Sequence, residues 1–235
     1  MIELNADIGE GHEDDALMPY IARASIACGG HFGDAGSMRT ALLRCAEYGV
    51  AAGAHPSYPD RAGFGRRRLA APPEEITRWV AEQTETLAEA AARLGLVLAH
   101  VKPHGALYND AAADAAVAGA VVEGVARVDR RLAVVGLAGS QLVSAALAAG
   151  LAALNEAFAD RRYYASGRLV SRKTLGAVIA DPDAAAAQAL ALATGGPLDA
   201  EGGAVTITAE TLCVHSDTAD AFKIARAIHR ALHRG

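Results

Sequence analysis

Apolar and polar positions along this chain fall into two alternating textures. Short aliphatic runs end abruptly in ionisable side chains, and the longer stretches between them repeat apolar residues at helical spacing. The short runs predict strands over residues 2–6, 25–28, 50–54, 97–101, 132–136, 151–155 and 211–214. The longer ones predict helices over 36–48, from 72 to about 94, and over 112–128, 140–149, 181–192 and 219–233. Cap chemistry supports several of these limits. Asp34 precedes the first helix and Gly49 follows it, and Pro72-Pro73-Glu74-Glu75 opens the second with prolines and acids.

Strand and helix alternate about seven times, which implies a parallel sheet covered by helices. An open doubly wound sheet and a closed barrel both satisfy that count. The polar residues decide between them. Six strand ends carry Asp7 and Glu10; His31 and Asp34; His55; Lys102 and His104; Glu156 with Asp160 and Arg161; and His215 with Asp217. An open sheet gathers its chemistry at one switch point, whereas a barrel gathers every strand end around one mouth. The expected fold is therefore a single-domain α/β structure, a TIM-like (β/α)7 barrel spanning residues 1–235.

Composition narrows the function. With 235 residues, 52% hydrophobic and 21% charged, the chain can bury a large core, and with 5% aromatics that core is built from small and aliphatic side chains. A formal net charge of -5 leaves no electrostatic footprint for nucleic acid, so the expected partner is a small-molecule substrate. The longest apolar stretch, 142–154, is broken by Ser144 and Gly150 and is too short to span a bilayer. The first residues carry no leader pattern, and Cys28, Cys45 and Cys213 form no CxxC, so reduced thiols in the cytoplasm are expected.

The strand ends hold the candidate chemistry. Asp7-Ile8-Gly9-Glu10-Gly11 places two carboxylates in a glycine-flexed turn, as metal ligand and base or as a backbone cap. His31 and Asp34 are compatible with a base and its orienter, with Asp34 also serving as helix cap. His55 stands between a strand end and Pro56. His100, Lys102 and His104 alternate along one strand face, pairing anion binding with proton transfer. Cys28 reads as a small buried residue rather than a nucleophile. Gly136–Ser140 reads as an ordinary turn with a serine cap, and GxxxxGK[ST] occurs nowhere in the chain. Glu156–Tyr164 reads as a substrate clamp or a surface ion-pair network, and His229 with His233 as surface residues. Together these residues point to hydrolysis at a carbonyl or amide. Asp7, His31 and His55 could supply three ligands to a divalent metal, and metal-free acid–base catalysis fits equally well.

Taken together, the segments LNADIGEG (4–11), IACG with HxGD (26–34), GVAAGAHPSYPDRAGFGRR (49–67), HVKPHGALYN (100–109), EAFADRRY (156–163) and LCVHSDT (212–218) resemble the LamB/YcsF family, described as the A-subunit of ATP-dependent 5-oxoprolinase. They occur in the family order over nearly the whole chain. Ser25, Gly30, Phe32 and Ser216 depart from the family pattern, which touches pocket shape more than chemistry. His12 takes a usual Phe position and is not counted as a ligand. The resemblance implies a seven-stranded barrel related to polysaccharide deacetylases, ring opening of 5-oxoproline to glutamate coupled to ATP with Mg2+, and two partner subunits. For that reaction Asp7 and His55 are expected to orient or deprotonate water, directly or through a metal, and Lys102 and His104 to stabilise oxyanion or phosphate charge. Arg66 or Arg161 would hold the substrate carboxylate. Glu10, His31, Tyr108, Asn109, Glu156, His215 and Asp217 complete the expected substrate contacts. A metal-dependent amide deacetylase and a non-catalytic subunit that binds a lactam or sugar are the alternative readings.

Overall fold

The structure is a computed structural model and describes residues 2–12, 14–172, 174–215 and 220–233. Its strands are β1 (Glu3–Ile8), β2 (Arg23–Ala27), β3 (Ala51–His55), β4 (His100–Val101), β5 (Ala133–Leu137), β6 (Ala153–Phe158), β7 (Leu198–Ala200), β8 (Gly203–Val205) and β9 (Thr211–His215). Seven of these close into a barrel in the order β1-β2-β3-β4-β5-β6-β9. Every neighbouring pair is parallel, and β1 completes the ring by pairing Asp7 with both Ser25 and His215. The helices are α1 (Ala35–Tyr48), α2 (Pro73–Ala92), α3 (Gly105–Ala113), α4 (Ala115–Val128), α5 (Gln141–Ala148), α6 (Pro182–Thr194) and α7 (Ala221–Leu232).

Local chemistry explains the limits of α1. The Asp34 side chain accepts from Ser37 N while the Ser37 hydroxyl accepts from Asp34 N, and Gly49 ends the helix at φ 67°. Ala41, Leu42 and Cys45 turn one face inward. Leu42, Leu87 and Val80 are fully buried, each contributing about 1.5–3 kcal/mol relative to an exposed side chain.

Small residues serve both faces of the sheet. Ala6, Ala24, Ala52 and Ala54 are buried on the face of β1–β3 that belongs to the hydrophobic core. On the inner face the His100 ring fills the space beside Gly53, where a Cβ would collide with the imidazole. A Gly53→Val change would therefore displace His100 or open the barrel.

Several expected limits move. Strand pairing over 97–101 contracts to His100–Val101, although Ala99 N and Lys102 N still donate to β3 carbonyls. Val97 lies on the surface at 86% exposure. The helix expected over 112–128 is two helices, because Asp114 turns to an extended conformation and caps Ala116 N and Val117 N. The antiparallel β7–β8 hairpin is an addition to the expected elements. Asp217 and Ser216 lie outside the described residues. Among the described residues, no helix is long and apolar enough to cross a membrane.

Candidate active site

A cavity of about 700 Å³ opens at the C-terminal ends of the barrel strands. Asp7, Glu10, His55, Arg66, Lys102, His104, Tyr108, Asn109, Arg161 and His215 all line it. His31 and Glu156 stand directly behind this lining, in contact with Glu10 and Lys102. Twelve of the residues expected from sequence are thus brought together.

The chain reaches this geometry through its turns. After β1, Gly9 takes the left-handed conformation (φ 72°) and its N–H donates to Asp14, which folds Glu10 back into the barrel mouth. After β3, the segment around Phe64 presses onto the histidines. A Cβ on Gly65 would meet both His31 and His104, so only glycine permits that approach. The Gln83 amide holds the intervening turn by accepting from Ser57 N at 2.9 Å and donating to Ser57 O at 2.8 Å. Gly30 packs against this same clamp and has no room for a Cβ.

Two buried clusters share the floor of the cavity. In the first, the Lys102 ammonium lies 2.9 Å from Asp7 Oδ1 and 2.8 Å from Glu156 Oε1. It also donates to Asn5 Oδ1 at 3.2 Å and to Cys213 Sγ at 3.1 Å. Tyr108 donates its hydroxyl to Glu156 Oε2 at 2.7 Å. Burial disfavours charge on Lys102, but the Asp7 and Glu156 carboxylates contribute to a combined attraction that outweighs it and raises the lysine pKa. Asp7 is likewise opposed by burial, yet His55 and Lys102 hold it well below the usual carboxylate range. Burial raises the Cys213 thiol, leaving it protonated. The Lys102 ammonium faces two carboxylates, and the residue is only 2% exposed.

In the second cluster, Glu10 Oε1 is 2.8 Å from His31 Nε2, 3.2 Å from His104 Nδ1 and 3.6 Å from His55 Nε2. The rings of His31 and His104 stack at 3.7 Å. Burial pushes His31 down to about 4 and also lowers His104. His55 is opposed by burial, but Asp7 outweighs it and raises its pKa. Glu10 is held below its usual range, because the neighbouring imidazoles of His104, His31 and His55 together outweigh burial. One donor atom from each of Glu10, His31, His55 and His104 lies within 4.8 Å of the others. The expected metal set of Asp7, His31 and His55 does not converge in this way. His31 turns to Glu10, and Asp7 approaches only His55, at 3.4 Å. Asp7 belongs instead to a separate group with Cys213 and His215.

Other expectations resolve individually. Asp34 caps α1 and does not orient His31. Cys28 is buried, its thiol pushed up by burial to about 12, which suits a small core residue. Glu156 and Asp160 are fully buried, so residues 156–164 are not a surface network. Arg161 is also buried. Its Nη2 donates to Val170 O at 2.7 Å, while its Nε has no hydrogen-bond partner. Asn109 bonds back to Gly105 O, and Arg66 sits over the Phe64 ring at 5.0 Å. Ser25 lies inside the barrel, 3.3 Å from His100 Nε2. His229 is half-buried, stacked on His233 at 4.1 Å and edge-on to Tyr20.

Sequence reasoning misses the Asp160–His215 pair, in which His215 Nδ1 lies 2.9 Å from Asp160 Oδ2. Both residues sit at strand ends, but they are 55 positions apart and nothing local links them. It also misses Arg168 and Arg172 in the cavity wall, where no motif marks them.

A family model described as LamB/YcsF matches residues 2–235. The chain is 48% identical to the 5-oxoprolinase A-subunit of Chloroflexus aggregans, the alignment covering 98% of this chain and 94% of that protein. It is 46% identical to the Bordetella pertussis protein of the same name, covering 99% and 95% respectively. A solved structure of a lactam utilization protein from Thermus thermophilus superposes with a TM-score of 0.92 at 40% identity, covering 99% of this chain and 96% of that one.

Proposed function

The chain belongs to the LamB/YcsF family, and from that premise we propose that it is the A-subunit of an ATP-dependent 5-oxoprolinase, opening the lactam of 5-oxo-L-proline to L-glutamate. One observation carries this reading: relatives bearing that name match the chain over 98–99% of its length. The site chemistry agrees with it. The substrate is a small anion with a five-membered amide, and the cavity combines cationic walls with a buried carboxylate floor.

A five-membered lactam is a stable amide, so its opening needs activation. Transfer of the γ-phosphoryl group of ATP to the amide oxygen, with loss of ADP, makes the carbonyl carbon electrophilic. Water then adds to that carbon and the carbon–nitrogen bond breaks. The γ-glutamyl phosphate so formed is hydrolysed by a second water to glutamate and phosphate. This chain contains no Walker A loop, so ATP and its Mg2+ are held either by a site here of another kind or by one of two partner subunits.

Within that sequence the residues take distinct roles. Asp7, kept ionised by His55 and Lys102, accepts the proton of the attacking water. Lys102 acts through Asp7 as a positioning residue. His215 donates its Nδ1 hydrogen to Asp160, which turns Nε2 toward bound substrate; once Nε2 has taken up a proton, it passes that proton to the departing amine. Arg161, in the cavity wall, holds the substrate carboxylate, with Arg66 as the second candidate. His55 and His104 would act on the developing oxyanion or phosphate through the cation they hold, since their own N–H groups are bonded to Lys102 O and Phe64 O. A divalent ion held by the histidine cluster would supply Lewis-acid polarisation of the carbonyl.

The test is glutamate release from 5-oxoproline with ATP and magnesium, using this chain alone and with both partner subunits. Glutamate only from the complete mixture supports the proposal. Chelator-sensitive amide hydrolysis without ATP would replace it with the deacetylase reading. Tight lactam or sugar binding with no turnover in the assembled complex would make the chain a binding subunit.

A further inference from the structure

The cluster of Glu10, His31, His55 and His104 has more lone pairs than hydrogens. His55 Nδ1 lies 2.7 Å from Lys102 O, and a carbonyl only accepts, so Nδ1 carries the hydrogen and Nε2 is bare in the neutral ring. His104 Nε2 lies 3.0 Å from Phe64 O, so Nε2 carries the hydrogen and Nδ1 is bare. These two bare nitrogens face one another at 3.0 Å. Glu10 Oε1 approaches the same point, 3.2 Å from His104 Nδ1 and 3.6 Å from His55 Nε2. Backbone carbonyls have thus fixed two tautomers so that three acceptors converge.

One added proton does not resolve this. On His55 Nε2 it can point at His104 Nδ1, which leaves the contact between Glu10 and His104 without a hydrogen. On His104 Nδ1 it can serve Glu10 and His55, which leaves His55 Nε2 and Asp7 Oδ2, 3.4 Å apart, without one. A cation with several coordination positions satisfies all three acceptors at once. The outer contacts have the matching form, since metal-binding imidazoles usually donate their second nitrogen to a carbonyl or carboxylate.

We infer that Glu10, His55 and His104 form a binding site for one divalent first-row transition ion of the zinc class, with His31 as the residue that orients Glu10. Two imidazoles and a carboxylate suit such ions better than calcium or magnesium, which prefer all-oxygen shells. Three protein ligands leave a position open toward the cavity. His31 donates Nε2–H to Glu10 Oε1 at 2.8 Å, and its Nδ1 is buried without a partner, so it lacks the outer acceptor that His55 and His104 each have. This differs from the ligand set of Asp7, His31 and His55 expected from sequence, and it does not rest on the lactam reading.

The experiment uses tag-free protein, stripped with chelator, in a His229→Ala/His233→Ala background that removes the stacked surface pair. Zn2+ and Co2+ are titrated calorimetrically without substrate, with metal content by mass spectrometry and Co2+ absorption as a second readout. One ion per chain is expected, with visible bands for cobalt. Glu10→Gln, His55→Ala and His104→Ala should weaken binding by more than the roughly 10–100-fold that loss of an outer-shell partner costs, and His31→Ala should fall within that range. Circular dichroism verifies each fold, and the near-isosteric Glu10→Gln carries the test if a histidine variant does not fold. Absence of stoichiometric binding to folded protein, loss of the ion with the surface pair alone, or unchanged affinity in Glu10→Gln would overturn the site. Because binding is read without lactam, ATP or partners, its failure leaves the glutamate assay intact, and the converse also holds.

Discussion

The two buried clusters at the barrel mouth are close in space, yet their charges are balanced differently. Around Lys102, the ammonium lies between Asp7 and Glu156, and Tyr108 and Asn5 supply further polar contacts. Around Glu10, three imidazoles and a carboxylate converge with too few hydrogens among them. The first cluster is complete without any ligand and can hold Asp7 in one ionised position. The second is complete only when a cation enters. Burial raises the stakes in both, because an unpaired group in low dielectric costs far more than one in water.

The largest expected effect comes from breaking the complete cluster. Lys102→Met removes the cation and leaves Asp7 and Glu156 buried and uncompensated. Loss of about 3–5 kcal/mol of stability is expected, the usual result of breaking a buried ion pair from one side. Denaturant unfolding measures it, and a loss below about 1 kcal/mol would show that the carboxylates find other partners.

The same kind of change in the second cluster should behave differently. Glu10→Gln exchanges an acceptor for an amide that also donates, so stability of the metal-free protein should move by no more than about 1 kcal/mol. Glutamate release by the assembled complex should nevertheless fall at least about 100-fold, in the range that a lost acid–base or charge-stabilising group produces. Parallel collapse of stability and activity would erase the contrast between the clusters.

His100 extends the comparison one layer deeper, where an imidazole is buried with no carboxylate against it. Burial, followed by the positive charge of Arg23, lowers its pKa to about 3. In the unfolded chain it titrates near ~6.5. Between those values the unfolded chain binds a proton that the folded one refuses. Stability from this residue is therefore complete above pH ~6.5 and is lost as pH falls toward 3, at up to about 1.4 kcal/mol per pH unit. His100→Gln should flatten the dependence of the unfolding midpoint between about pH 6.5 and 4 by that one proton. An unchanged slope would mean that another group carries it.

What can be read from the sequence follows a physical division between local and distant determinants. Asp34, Gly49, Ser140 and Asp181 are recognisable as helix limits because a cap bonds backbone a few residues away. The mouth residues are recognisable as a set because parallel strands must all end on one side. The partition of that set into two clusters is not readable, since Glu10 meets His31 from 21 positions away and Lys102 meets Glu156 from another strand. The break between α3 and α4 is hidden in an alanine-rich stretch with no change of period. The β7–β8 hairpin does carry a local signal, Glu201-Gly202-Gly203, with both glycines at positive φ.

The smallest effect tests that division directly. By sequence, Asp34 serves either as the orienter of His31 or as the cap of α1, and geometry assigns it to the cap alone. It sits on the exposed outer side of the turn and accepts from Ser37 N at 2.9 Å, while His31 points inward to Glu10. Asp34→Ala should therefore cost about 1 kcal/mol of stability, the usual effect of a lost N-cap. It should leave kcat and KM for the assembled complex unchanged, because α1 remains packed through Leu42 and Cys45. If turnover fell while stability held, the histidine cluster would be coupled to the exposed end of α1, and the boundary between scaffold and site would lie one turn further out than the hydrogen bonds place it.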